Sequence, residues 1–378
     1  MNGPVQLVEI PRTPAGVSRF LKVSYGIYGD DPNWVAPLLV DLEKVFTNAN
    51  PLFQHAEMKL WVAVRQGKDV GRIAGIVDRH YNEYHKVAAA FFGFFESIND
   101  AAVSQPLFQA AIAWARQHGA TTMLGPMNPT TNDECGLLVK GYDSPPVFMM
   151  TYNPPYYAEL IEAQGFAKTK DLLAFYFDLK NTPMERFNRL AAKFAKREPQ
   201  IKIRPILRKN LEADLGKIKE VYNEAWQENW GFVPMTDLEL NFMASRLKPM
   251  LKEGISYLAE LPGETVGFLL ALPDFNQAMK PLRGHLITPH IFSFIPYLLG
   301  WKETNIVRVI TLGVKNKYRG RGIEAAMLAD GLRQGFKLGF KFVEASWILE
   351  DNIAVQRVIE LFGGYPYKTY RIYEKTIH

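Results

Sequence analysis

One hairpin pattern is written twice in this chain. Ala63, Gly67, Val70, Gly71 and Asp78 recur as Ala259, Gly263, Val266, Gly267 and Asp274, each 196 residues further on without a gap. Ile161, Glu162 and Gly165 recur as Ile359, Glu360 and Gly363 at an offset of 198. A single set could be chance in any hairpin, but two sets at nearly one offset point to duplication. The chain is therefore expected to fold as two similar halves. Its 378 residues suffice for them at about 150 residues per domain. The expected boundaries are 1–180, a linker helix over 181–200, and 201–378.

The first half alternates strand and helix signals. Val5–Ile10 reads as a strand, and a helix starts at Thr13-Pro14, a capping Thr followed by Pro in the first turn. A second helix is expected over 38–46, a hairpin with strands 60–64 and 70–78, a strand over 88–96, a helix over 103–118 and a strand at Thr122–Gly125. The stretch 125–157 is rich in Pro, Gly, Asn and Thr, and a loop of that length in a folded domain is usually functional. Asn132, Tyr152, Asn153 and Tyr156 are its candidate substrate contacts.

The second half carries the chemistry. A β-branched run (Val307, Val309, Ile310, Leu312, Val314) predicts a strand, and Ile323, Ala326, Met327, Ala329 and Leu332 lie at helical spacing. Between them Lys315-Asn316-Lys317-Tyr318-Arg319-Gly320-Arg321-Gly322 makes a turn with two glycines and four basic residues. Strand, glycine turn and helix start form an anion site, because turn amides and the positive helix end point at one place. The turn lacks the Lys-Ser/Thr ending of a triphosphate loop and does not fit the Gly-x-Gly-x-x-Gly dinucleotide pattern.

Arg319-Gly320-Arg321-Gly322-Ile323-Glu324 resembles the acyl-CoA pyrophosphate loop of the GNAT N-acyltransferase superfamily, Arg/Gln-x-x-Gly-x-Gly/Ala, in all but the last position. Phe342-Val343-Glu344-Ala345-Ser346-Trp347 looks like that family's next strand, and Asn352 with the helix 353–362 like its closing helix. The resemblance covers roughly 201–378. It implies an α/β fold of two tandem GNAT-like domains, each a mixed, mostly antiparallel sheet flanked by helices. It also implies acyl transfer from acetyl-CoA or a longer acyl-CoA to an amine acceptor held between the halves. Leu312, Val314, Arg319, Gly320, Arg321, Gly322, Ile323 and Asn352 would contact the co-substrate, and Glu344 would be the base. Two positions depart from the family. Glu324 stands where it has Gly or Ala, and Ile359 where it has a Tyr acid. In the first half Glu96-Ser97-Ile98-Asn99-Asp100 replaces the basic turn, so that half is expected to be scaffold without a pyrophosphate loop.

Tandem halves also occur in the superfamily's N-myristoyltransferases, and bacterial ceramide synthases resemble GNAT proteins. Long-chain transfer to a sphingoid-type lipid amine is therefore one reading beside small-molecule acetylation. A non-catalytic acyl-CoA or lipid binding protein is the reading from another class. An acyl carrier protein or a membrane surface are the further partners considered. No metal is expected, since no His or Cys spacing suits one, and no nucleic acid. Oligomeric state is not legible.

Thr182-Pro183-Met184-Glu185 reads as a capping box opening the linker helix, with Phe187, Leu190, Ala191 and Phe194 on one face and Arg186, Arg189, Lys193 and Arg197 on another. This is either a bridging helix with a solvated face or a surface for an anionic partner. The insertion 276–303 is strongly apolar. It reads as packed structure, a lid, a dimer surface or the wall of an acyl tunnel. One cysteine, Cys135, excludes an internal disulfide, and no run reaches the roughly 18 apolar residues of a membrane span. With no signal-peptide pattern, a cytoplasmic protein is expected, either free or peripheral to the inner face of the membrane.

Overall fold

The duplicated residues hold the same places in two hairpins of the computed structural model, which describes residues 3–302 and 304–378. Met1, Asn2 and Glu303 (the last in the apolar insertion) lie outside the described residues, as does the side chain of Leu298. In the first hairpin, Ala56–Arg65 and Lys68–Asp78, Ala63 faces Gly71 and the register shifts immediately after it. In the second, Tyr257–Leu261 and Glu264–Pro273, Ala259 faces Gly267 and the register shifts at the same point. Both glycines are small because something crosses them. A Cβ on Gly71 would lie 2.9 Å from Val103 Cγ1, and one on Gly267 would lie 3.0 Å from Gly313 O and 3.3 Å from Met327 Cε. Asp78 accepts from the amides of His80 and Tyr81, and Asp274 from that of Asn276, so each ends its strand by starting a helix.

The chain forms two units. The first comprises the residues up to Leu172 with Met279–Ile291 and Lys368–His378, and the second Leu173–Ala278 with Phe292–Tyr367. The sequence reading placed 279–291 and 368–378 in the second half. The described structure puts both with the first unit. Strand pairing accounts for the C-terminus, since Tyr373–Thr376 pairs with Thr122–Gly125.

In the first unit the sheet runs Val5–Ile10, Ala56–Arg65, Lys68–Asp78, Ala89–Ser97, Thr122–Gly125 and the C-terminal strand. The pairs are antiparallel except Ala89–Ser97 with Thr122–Gly125. Side chains alternate across a strand, so Gly71 meets the helix Ala101–Gln117 on one face. Its neighbour Arg72 reaches Phe20 O of the helix Pro14–Tyr28 on the other. Phe92, Phe95, Phe108, Tyr157 and Phe166 form the aromatic centre of the core, with ring centroids 4.8–5.4 Å apart. Burying such rings is the main stabilising term here, each contributing about 2–3 kcal/mol.

In the second unit the order is Lys202–Pro205, Tyr257–Leu261, Glu264–Pro273, Ile306–Val314, Phe342–Leu349 and then residues 173–178. Ile306–Val314 is parallel to Phe342–Leu349, and the earlier pairs are antiparallel. The helix Ile323–Lys337 covers one face, with Ile323, Met327 and Ala329 fully buried. The helix Met184–Arg197 packs beside it, Phe187 stacking on Phe362 at 3.6 Å. The expected capping box at Thr182 does not form. Thr182 Oγ1 donates to Asp178 O, which closes the preceding turn, and the helix starts after Pro183 without a side-chain cap. Thr236 and Glu239 make a capping box instead, opening the helix Asp237–Leu247. Leu190, expected on the packed face, is exposed.

Candidate active site

The site begins where two parallel strands stop pairing. Ile306–Val314 and Phe342–Leu349 are in register from Ile306 with Phe342 to Val309 with Ala345. Just above that point the first strand bulges against its other neighbour: Val309 faces Ala271 and Thr311 faces Leu270, leaving Ile310 extra. A bulge bends the strand that carries it and re-aims its groups. The two strands part there, and Ile310, Thr311 and Leu312 on one wall and Trp347, Ile348 and Leu349 on the other are only half-buried. The result is a cleft presenting main-chain groups to an extended ligand.

At its mouth the strand leads into the basic turn. Gly320 and Gly322 have φ of 74° and 91°, a region that costs other residues about 1–2 kcal/mol, and Gly322 starts the helix Ile323–Lys337. Among the described residues, the amides of Arg321, Gly322 and Ile323 have no main-chain acceptor, while that of Glu324 donates to its own carboxylate. The first three form a ready anion cradle. Val314 and Ile323 point their side chains into the core, so only their main chain is available to a ligand. Arg319 is committed to the protein, its Nε donating to Val314 O at 3.3 Å and Nη2 to Ala225 O at 2.5 Å. Arg321 lies 3.4 Å from Glu198 and over the Tyr318 ring, and keeps a partly exposed guanidinium.

Sequence reasoning missed what fixes the turn. Lys315 is buried among Glu220, Glu224 and Glu264, and Tyr318 donates to Glu264 at 2.7 Å. Hydrogen bonds from Lys317, Tyr318 and Lys315 hold the Glu264 carboxyl down at about 2. Burial works against the Lys315 ammonium, but Glu220 and Glu264 outweigh it and raise its affinity for the proton. Trp226 was missed as well: a Cβ on Gly313 would stand 2.0 Å from its ring. The signal was present, since a glycine inside a β-branched run marks a close approach.

Glu344 lies below the parting point, with no exposed surface. Arg308 Nε is 3.7 Å away, Ser346 Oγ donates to it at 3.0 Å, and the Arg308 guanidinium lies over Trp347 of the cleft wall. Glu344 therefore has no surface of its own on the opening, and Ser346, its hydrogen-bond partner, is buried as well, one residue below the half-buried Trp347. Asn352 caps the helix Ile353–Leu361, accepting from the Val355 amide. Ile359, at the family's Tyr position, is core. Glu324 is largely buried, and that burial raises its carboxyl above the usual range although its own amide and Arg319 pull the other way.

The first unit builds the same cleft and fills it. Its parallel pairing stops at Phe91 with Leu124, and Phe94, just above, has φ of 50°. Met127–Asn128 enters the gap: a Cβ on Gly93 would lie 1.7 Å from Met127 O, and the Phe94 amide donates to Asn128 Oδ1 at 2.6 Å. Asp100 occupies the helix start, accepting from the Ala102 amide and pairing with Arg65 at 2.7 Å. Glu96 is buried against Arg72 and Tyr157. The four expected substrate contacts lie in this unit, and three brace it. Asn153 bonds both to the Leu138 main chain and to Pro154 O, Tyr152 donates to Asp31, and Tyr156 donates to Ser97 O. Asn132 is half-buried in the turn after Thr130. Cys135 is buried on the small hairpin opposite Met127.

A parted parallel pair beneath a glycine turn, on a duplicated sheet, is the architecture of a tandem GNAT acyltransferase, and the chain belongs to the GNAT family. The model of the Acetyltransferase (GNAT) family matches residues 215–363. The chain is 34% identical to the "Bacterial ceramide synthase" of Caulobacter vibrioides, over 100% of this chain and 98% of that one. It is also 34% identical to "Protein YghO" of Escherichia coli K12, over 95% and 92%. Among solved structures, a tandem GNAT protein from the clavulanic acid biosynthesis pathway superposes with a TM-score of 0.60 at 13% identity, covering 99% of each chain. That likeness shows a shared fold. The protein is a transferase of acyl groups.

Proposed function

We propose that this protein transfers a long-chain acyl group from acyl-CoA to the amine of a sphingoid-type lipid. The observation that carries the donor half is the open cleft above Val309 and Ala345, with free amides at 321–323 over its mouth. The lipid acceptor is supported by the end-to-end similarity to a protein called a ceramide synthase, a name that describes acylation of such an amine.

The residues present suit the donor. Amides of Arg321, Gly322 and Ile323, with the Arg321 guanidinium, hold the pyrophosphate, and the main chain at 310–312 receives the pantetheine and faces the thioester carbonyl. The amine nitrogen attacks that carbonyl, the C–N bond forms and the C–S bond breaks. The amine's proton passes by way of Ser346 to Glu344. The thiolate takes its proton from solvent, because Ile359 has none to give and the Tyr318 hydroxyl is donated to Glu264.

The test is amide formation from palmitoyl-CoA and a sphingoid base, followed by mass spectrometry alongside thiol release. One thiol per amide is expected. Glu344→Gln should lower kcat about a hundredfold or more while acyl-CoA binding is kept. Acyl-CoA binding without any amide product, across acetyl and long chains, would replace this reading with that of a binding protein. Amides formed only from acetyl-CoA and water-soluble amines would replace the acceptor.

A further inference from the structure

Residues 276–303 hold three cations, Lys280, Arg283 and Lys302, against one acid, Glu303, and His285 and His290 lie between them. Within this stretch the second unit carries the helix Ile291–Leu298, whose only polar side chains are Ser293 and the hydroxyl of Tyr297. Phe294 is buried and ties the helix down, but Phe292 is 74% exposed, Leu299 54% and Trp301 78%. Upstream, Ile287 is fully exposed. Lys302 sits over the Tyr297 ring at 5.0 Å, a cation beside exposed aromatics. Apolar side chains left this open mark an interaction surface.

We propose that Phe292–Lys302 docks this protein on the surface of a bilayer containing anionic lipid. Phe292, Leu299 and Trp301 enter the boundary between headgroups and acyl chains, where Trp and Phe are favoured, and Lys302 stays with the phosphates. The charge balance selects the occupant. A stretch with three cations to one acid complements an anionic surface, whereas a second copy meeting it face to face would set cations against cations. No helix of the described residues is long and apolar enough to cross a membrane, so the contact is with the surface. The docking rests on the chemistry of this segment and not on the acceptor's identity.

The experiment is flotation of the full chain with phosphatidylcholine vesicles, with and without phosphatidylglycerol, at low and high salt. Binding is expected with phosphatidylglycerol and weaker binding at high salt. Phe292→Ser with Trp301→Ser should reduce it at least about tenfold, the scale of removing two rings from an apolar phase. Lys302→Glu should weaken it in anionic vesicles alone. The melting temperature and its rise with palmitoyl-CoA should stay as in the parent chain, which separates lost docking from lost folding or a failed acyl-CoA assignment. Absence of vesicle binding, equal binding by the double variant, or a dimer in sedimentation that the double variant abolishes would overturn the proposal.

Discussion

Glu324 is the residue at which this chain departs most from the requirements of an anion site. It places a carboxyl within a turn of the free amides, and burial raises that carboxyl's affinity for a proton. When ionised it repels the pyrophosphate. As pH falls through its raised pKa the repulsion disappears, so acyl-CoA affinity should rise on mild acidification. In Glu324→Gln that pH dependence should be lost, and affinity at neutral pH should increase by on the order of tenfold, the scale of one nearby unit charge in a half-buried site. Calorimetric titration across pH reads both effects. Lys315 supplies a second prediction. Lys315→Ala would leave Glu220, Glu224 and Glu264 facing one another without their shared cation, and should cost about 2 kcal/mol of stability in chemical denaturation. The Glu264 carboxyl is lowered in the folded state, so its contribution is present above about pH 4.3 and lost as pH falls towards about 2. The acid limb of a stability–pH curve should therefore flatten in Lys315→Ala. The basic turn was legible in the sequence because its function needs glycines and cations in one short run. The Lys315 cluster was not, since Glu220, Glu224 and Glu264 are distant in sequence and no local pattern links them.

Among the elements, the parted strand pair and the plugged one are built from the same parts. The alternation of Val307, Val309 and the residues after them predicts a strand, and the spacing after Gly322 predicts a helix, and both form. A bulge at Ile310 leaves no mark in a period-two pattern, so the point where the cleft opens could not be read. In 125–157, Asn153 meets a structural demand, satisfying the main-chain groups of Leu138 in a segment too irregular to satisfy its own. The first unit's Glu96 lies in the core with Arg72 3.4 Å away. Arg72→Met should destabilise the protein by about 3–5 kcal/mol, because the carboxylate would be left buried without its cation. Arg72→Met with Glu96→Gln should recover part of that loss. Denaturant unfolding of the single and double variants measures both.

At the scale of the whole molecule, the sequence repeat reports a duplicated fold, and the two copies have diverged in what fills the cleft. One carries Met127, Asn128 and Asp100 where a ligand would lie, and the other carries Gly320 and Gly322 with open amides. The repeat was legible because hairpin glycines and capping aspartates are structural and survive in both copies. The unequal boundaries were not, because Lys368–His378 joins the first unit through strand pairing that no linear reading contains. The most direct test is the stoichiometry of palmitoyl-CoA binding to the full chain by isothermal titration calorimetry. One site per chain is predicted, retained in Asp100→Asn and abolished in Gly322→Glu with the fold intact by melting. Two sites per chain, or one site that survives Gly322→Glu, would contradict the account.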